Sequence, residues 1–307
     1  MPKDAHDCSK RVARMVGGTS VGLPPPRRRA LRLIGTKMNS PPYVHGYSRR
    51  ESVRLSDQAQ TLADLLHEDE GYPPGSLVLE AGCGTGAQTV ILARNNPAAR
   101  VVAVDLALDS LERAEVAVKR AALANVRFEQ ADILQLPFPE ATFDAVFVCF
   151  VLEHLNEPLN ALRELRRVLR AGGTMTVVEG DHGSAYFHPD SVLARKAIQC
   201  LVDLQKEAGG DALIGRRLYP LLRQAGFTRV RVSPRVVYAD ASRPKMVEGF
   251  TRNTFTAMVA GIEDTVLRKK MMDPARWHQG LADLQLAAGP DGVFNYTFFK
   301  ARAVKPD

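Results

Sequence analysis

The chain has 307 residues, of which 45% are hydrophobic and 24% charged, the make-up of a globular protein large enough for one sizeable domain with an insertion or cap. No window approaches the roughly 18 uninterrupted apolar residues of a membrane-spanning helix, and the N-terminus lacks the apolar core of a secretory signal, so a cytoplasmic protein with no membrane contact is expected. The net charge of +7 sits at one end: residues 1–37 carry nine Lys or Arg against Asp4 and Asp7, and the remainder is neutral, which supplies no basic stripe for phosphate binding and argues against a nucleic-acid partner.

In chain order, the leader holds Pro24-Pro25-Pro26 followed by Arg27-Arg28-Arg29, a composition that disfavours packing and reads as a disordered basic tail over residues 1–40. Three readings stand for it: a tail of no specific function ahead of a start at Met38, an Arg-rich targeting segment weakened by Asp4 and Asp7, or a nucleic-acid-binding arm. Residues 41–307 are expected to form the folded domain. Within it, the apolar spacing between Glu51 and Glu68 predicts an amphipathic helix ended by Pro73-Pro74-Gly75.

Short β-rich runs then alternate with helical stretches, the pattern of a parallel sheet with crossover helices. Strands are predicted at Leu77–Glu80, Arg100–Asp105, Val126–Gln130, Phe143–Cys149, Thr174–Glu179, Val230–Ser233 and Asn295–Ala303, seven in all. Helices are predicted at Ala87–Arg94, Leu108–Leu123, Pro158–Arg170 (closed by Gly172-Gly173) and Ile214–Ala225 (closed by Gly226). Two helical insertions, about 181–211 and 240–290, interrupt the pattern and are expected to cap a substrate pocket; the second could equally pair two copies into a homodimer. The four cysteines, Cys8, Cys83, Cys149 and Cys200, are far apart with no C-x-x-C pair, so neither a disulfide framework nor a metal site is expected.

The first strand runs into Glu80-Ala81-Gly82-Cys83-Gly84-Thr85-Gly86, a glycine-rich turn that lets a ligand approach backbone amides at a helix N-terminus. By itself this turn also satisfies the dinucleotide-binding spacing G-x-G-x-x-G/A, so a nicotinamide or flavin dehydrogenase has to be weighed. Asp105, ending strand two, can accept both hydroxyls of a ribose, which suits either class. Asp132 follows strand three in Gln130-Ala131-Asp132-Ile133, ahead of Leu136-Pro137-Phe138. With Glu80 ahead of the glycines and the segments Leu152-Glu153-His154-Leu155, Leu165 to Gly173 and Leu221 to Phe227 in order, the chain resembles the class I S-adenosylmethionine-dependent methyltransferases over roughly residues 43–303, closest to their small-molecule, ubiquinone-biosynthesis-like branch.

The resemblance implies an α/β fold: a Rossmann-like, seven-stranded, mostly parallel sheet with helices on both faces and helical cap insertions. It implies S-adenosyl-L-methionine as cofactor, held by Glu80, Ala81, Gly82, Cys83, Gly84, Gly86 and Gln88 around the turn, by Asp105 and Leu106 on the ribose, and by Ala131, Asp132 and Ile133 on the adenine. Cys149, Phe150 and His154 would border it after strand four, and Tyr47, Arg54 and Gln58 would reach the methionine carboxylate from the N-terminal segment. His154, Glu179 and His182, beyond the carboxyl ends of strands four and five, are the candidates for a catalytic base. Tyr186, His188, Tyr238 and Phe255 are the candidates for the acceptor pocket. The leading expectation is methyl transfer to the O, N or C atom of a small organic metabolite. An RNA or protein methyltransferase, or a catalytically inactive cofactor-binding protein, are the alternatives.

Overall fold

The computed structural model describes residues 49–307, so the basic leader and the Tyr43–Ser48 segment, Tyr47 included, lie outside the described residues. Eight strands form one sheet: β1 (Leu77–Ala81), β2 (Arg100–Asp105), β3 (Val126–Gln130), β4 (Phe143–Cys149), β5 (Leu169–Gly180), β6 (Tyr186–His188), β7 (Thr228–Ala239) and β8 (Val293–Val304). The order is β3-β2-β1-β4-β5-β8-β6, with β7 also paired to β8. β1 to β5 run parallel, and β8 is antiparallel to β5, β6 and β7.

The sequence explains the parallel part. β1 is buried along its whole length and β2 along Val101–Val104, the near-continuous apolar run of a strand covered on both faces. After α1 (Arg49–Thr61), one core cluster gathers the turn at Leu62, α2 (Ala63–His67), α3 (Ala87–Asn95) and α4 (Leu108–Arg120) through Leu62, Leu66, Leu92 and Leu111. The other face is closed by α5 (Pro158–Val168) and α7 (Leu218–Gln224), with Leu162, Leu165, Leu218 and Leu222. Between them in the chain, α6 (Val192–Glu207) belongs to the first insertion. Pro158 at the first turn of α5 starts that helix, and Ala161, Leu162, Leu165 and Val168 form its buried stripe.

Several expectations are corrected. The N-terminal helix is two helices, broken at Leu62. Gly172-Gly173 does not close α5, which stops at Val168; both glycines lie inside β5, which starts at Leu169 paired with Phe143 and resumes at Thr174 opposite Ala145. Gly172 has a φ of 71°, and a Cβ on Gly173 would stand 2.8 Å from the Arg170 carbonyl oxygen, so the pair makes an in-strand bulge. The seven expected strands are eight, because the three-residue β6 pairs with β8 through Tyr186–Asn295 and Phe187–Phe294.

The second insertion is helical, as expected, and is built from several short helices. It comprises α8 (Pro244–Met246), a π-helix (Val247–Thr256), α9 (Ala257–Ala260), α10 (Glu263–Arg268) and α11 (Pro274–Leu286). Asp273 caps α11 by accepting from the Ala275 and Arg276 amides at 3.0 and 3.2 Å. α11 packs so tightly on α6 that a Cβ on Gly280 would lie 2.7 Å from the Leu193 carbonyl oxygen, which ties the two insertions together. Among the described residues no helix is long and apolar enough to cross a membrane.

Candidate cofactor and acceptor site

From β1 the chain winds outward to β2 and β3 and then returns to β4 on the other side of β1. Open α/β sheets hold ligands beyond the carboxyl ends of the strands at such a reversal. The glycine turn lies there. Gly82 and Cys83 both donate to the Val104 carbonyl (2.8 and 2.9 Å), which locks the turn onto β2, and Gly86 donates back to Cys83 (3.0 Å). Gly82, Gly84 and Gly86 all have positive φ, at 77°, 52° and 82°.

Their surroundings differ. A Cβ on Gly82 would lie 2.5 Å from Val151, and one on Gly86 would lie 2.8 Å from the Ala114 backbone, whereas one on Gly84 would meet nothing within 4 Å. Gly82 and Gly86 are thus glycine for packing, whereas Gly84 has an open side.

Asp105 ends β2 and accepts from the Gly84 amide through Oδ2 (2.8 Å) and from the Ala107 amide through Oδ1 (2.9 Å). Burial pushes its carboxyl up, and those backbone amides pull it back. A carboxylate has about four acceptor positions, so the amides leave room on Asp105 for a further donor. Asp132 after β3 uses Oδ1 to accept from the Leu134 amide (2.8 Å), and its carbonyl accepts from Gln135 (3.0 Å), a self-capped turn that fixes its position. Gln130 clamps the neighbouring segment by donating to the Leu106 carbonyl (2.8 Å).

Glu80 is 2% exposed. Burial pushes its carboxyl up to about 8, with the charge of Asp105 adding to the rise. Its Oε2 makes no hydrogen bond among the described residues. Gln88, on the first turn of α3, is already engaged with His67 Nε2 at 2.6 Å. Cys83 and Cys149 are buried, and desolvation raises both thiols.

After β4 the chain turns through Phe150, whose φ of 59° is unusual for a side chain of this size. Its amide donates to Val178 (2.9 Å), and its ring rests 5.2 Å from that of Phe298. Glu179, fully buried at the end of β5, accepts from the Val151 and Leu152 amides at 3.0 and 2.7 Å, so this carboxyl holds the loop that carries His154. Burial and the neighbouring Glu153 push the Glu179 carboxyl well above its usual range. His154 Nε2 stands 3.5 Å from Glu153 Oε1. His182 contacts the Tyr296 hydroxyl through Nδ1 at 2.7 Å, and its environment includes the charges of Glu153, His154, Asp181 and Arg54. Arg54 donates to Gln58 at 3.1 Å on α1, so α1 stands near the end of β5.

The expected pocket residues scatter. Phe255 is buried against Phe294, Tyr296 and His182. Tyr186 and Tyr238 flank Asn295 from opposite sides of β8, and Tyr186 is 63% exposed. His188 is exposed at the end of β6. Sequence reasoning missed Tyr296, Glu153 and Arg216. Tyr296 and Arg216 meet partners remote in the chain, His182 and Asp181, and the alternation of Phe294, Tyr296 and Phe298 along β8 marked only a buried face.

Residues 79–177 match a family described as a methyltransferase domain. The span runs from β1 through most of β5 and holds the glycine turn, Asp105, Asp132 and His154. The segment from β1 to β5 is thus a methyltransferase domain. A 37.1 kDa protein in transposon TN4556 of Streptomyces fradiae is 30% identical over 243 residues, covering 78% of this chain and 66% of that protein. The 27-O-demethylrifamycin SV methyltransferase of Amycolatopsis mediterranei is 32% identical over 134 residues, covering 43% of this chain and 49% of the enzyme. The match therefore spans only part of each relative. Among solved structures of methyltransferases, the Haemonchus contortus phosphoethanolamine N-methyltransferase 2 in complex with phosphomonomethylethanolamine and S-adenosylhomocysteine superposes with a TM-score of 0.52 at 18% identity, over 81% of this chain and 52% of that one, a likeness of fold.

Proposed function

We propose that this methyltransferase transfers the methyl group of S-adenosyl-L-methionine to a small organic metabolite. The observation that carries the reading is the pairing of Asp105 with the Gly84 amide beside the open face of that glycine, since it joins a hydroxyl-binding carboxylate to a backbone surface that a ligand can approach. In this reading Asp105 binds the ribose with Leu106 beside it, and Asp132 and Ile133 meet the adenine with Ala131. The glycine turn carries the amino-acid portion, with Glu80 balancing its positive charge.

When bound, the cofactor supplies a methyl group on an already activated sulfonium. What remains for the chain is to hold the acceptor in line and exclude water. We assign Glu179 to holding the Val151–His154 loop, because one of its oxygens is committed to two loop amides, and His154 to the cofactor border, where proton transfer from the acceptor would pass. The relatives methylate small molecules by their names, a rifamycin precursor and demethylmenaquinone, and the neutral charge of residues 38–307 supports a small acceptor over RNA.

Isothermal titration with S-adenosylmethionine tests the reading. One site per chain is expected. Asp105→Ala, which removes two charge-assisted hydrogen bonds to the ribose, should weaken binding by about 100-fold. A folded wild-type chain that binds none of the cofactor would end the proposal.

A further inference from the structure

The two loops assigned to the nucleoside lie at the edge of the sheet. β3 is the outermost strand and pairs with β2 alone, so the residues after it have a neighbouring strand on one side only. The register sets Asp105 opposite Gln130, and the Ala131 amide continues the ladder by donating to the Asp105 carbonyl at 3.0 Å. Among the described residues the backbone bonds between the two loops end there. A side chain makes the next step: Gln130 Nε2 donates to the Leu106 carbonyl at 2.8 Å. The orientation of the amide is fixed by its partner, because a carbonyl oxygen only accepts.

That bond falls in the middle of the ribose loop. The residues on either side of Leu106 are joined by the Asp105 Oδ1 bond to the Ala107 amide at 2.9 Å, while the Leu106 side chain is 38% exposed and gains little hold from packing. The adenine loop is suspended in a similar way. Asp132 caps its own turn through Leu134, and the next anchor is Leu136, whose amide donates to Glu164 at 2.8 Å and whose carbonyl accepts from Arg167 at 3.1 Å. Asp132 to Gln135 therefore hang between two side-chain clamps. Glu164 and Arg167 on α5 tie one end to the buried Leu136. Gln130, exposed at the other end, ties the adenine loop to the ribose loop.

We propose that Gln130 is a positioning residue for the cofactor: through the Leu106 carbonyl it fixes the interval between Asp105 and Asp132, and so sets the two carboxylates to the span of one nucleoside. The inference rests on the methyltransferase reading and adds to it a residue that need not touch the ligand. Its physical basis is preorganisation. An exposed Leu106 carbonyl released by Gln130 is taken up by water, so the fold loses little. Binding loses more, because a loop free to shift has to be ordered when ribose and adenine are gripped together. The loss falls on recognition of the base in particular. Asp105 keeps its own two amides, whereas the place of Asp132 relative to it depends on the clamp.

The test titrates the full chain with S-adenosylhomocysteine and with S-inosylhomocysteine, in which an oxo group replaces the amino group of the adenine. The wild type should prefer the first, since a carboxylate accepts from an amino group and repels an oxo group. Gln130→Met keeps the length and neutrality of the side chain and removes the donor. It should bind S-adenosylhomocysteine about fivefold more weakly, the worth of one hydrogen bond, narrow the preference by a similar factor, and melt at the wild-type temperature. In an Asp132→Ala background, with no carboxylate left to position, Gln130→Met should cost little further. If Gln130→Met binds both ligands as the wild type does, weakens both equally, or melts lower with the preference intact, the assignment is overturned. A wild type that does not distinguish the two ligands would overturn it too, by leaving no base contact to position. Failure of S-adenosylhomocysteine itself to bind would instead overturn the methyltransferase reading.

Discussion

Two carboxyl groups at the ends of neighbouring strands do different work because their surroundings differ. Asp105 is held by two backbone amides and keeps its orientation whether or not a ligand is present. Glu80, one strand away, is buried with an orphaned oxygen and its carboxyl raised to about 8, so near pH 7 it is mostly protonated. A cationic ligand group arriving beside it would lower that value again and expel the proton. Titration of S-adenosylmethionine in buffers of different ionisation enthalpy should therefore show release of a proton near pH 7, and Glu80→Gln should abolish it. The same shift acts on stability. Because the folded value lies above the unfolded one, the contribution is full below about pH 4.5 and is lost as pH rises through about 8. The ligand-free wild type should accordingly lose stability relative to Glu80→Gln between about pH 4.5 and 8, and no further above that, as read by thermal melts.

At the scale of the element, the glycine turn separates folding from binding. Gly86→Ala forces a side chain into a left-handed conformation and against the Ala114 backbone at 2.8 Å, where α3 and α4 approach each other. A loss of about 3 kcal/mol in urea unfolding is expected. Gly84→Ala has the left-handed conformation without the collision and should cost only about 1 kcal/mol, but its methyl group enters the open space assigned to the cofactor in the proposed function. Cofactor affinity should collapse in a protein that remains folded. If Gly84→Ala bound the cofactor as well as the wild type, the ligand would have to lie on another side of the turn. The β4–α5 loop follows the same logic: its left-handed Phe150 is tied down by Val178, and the next two amides by Glu179, so a buried carboxyl holds a backbone that would otherwise relax.

Across the whole molecule, the segment after α2 is bound to the far strands by a buried ion cluster. Lys300 on β8, 1% exposed, donates to the Leu66 carbonyl (2.8 Å), to Asp69 (2.7 Å) and to Glu70 (2.8 Å). Glu70 also takes the Tyr72 and Thr176 hydroxyls at 2.7 and 2.9 Å, and Arg235 and Arg302 close the cluster around Asp69. Lys300→Met would leave two carboxylates without their central partner and should destabilise the fold by about 3–5 kcal/mol in urea unfolding. Burial raises the Asp69 carboxyl, but Lys300, Arg302 and Arg235 outweigh it and hold the group at about 2. Its contribution is present above about pH 4 and is lost as pH falls toward 2. Acid titration of stability should show that loss in the wild type and a flatter limb in Lys300→Met.

What the sequence determined by itself was local. Runs of Val, Leu and Ala marked β1, β2 and β4 nearly to the residue, because strands buried on both faces need near-continuous apolar stretches. The glycine turn with Asp105 and Asp132 was legible because each sits at a fixed offset from a strand end. Tertiary structure decided whatever depends on a partner remote in the chain. The short β6 exists only because β8 offers an edge left by the break after β5. His182 meets a tyrosine 114 residues away, and Lys300 answers charges 230 and 231 residues upstream. A hydrogen bond or ion pair across such distances leaves no periodic trace in the sequence, since its energy depends on geometry that exists only after the sheet has closed.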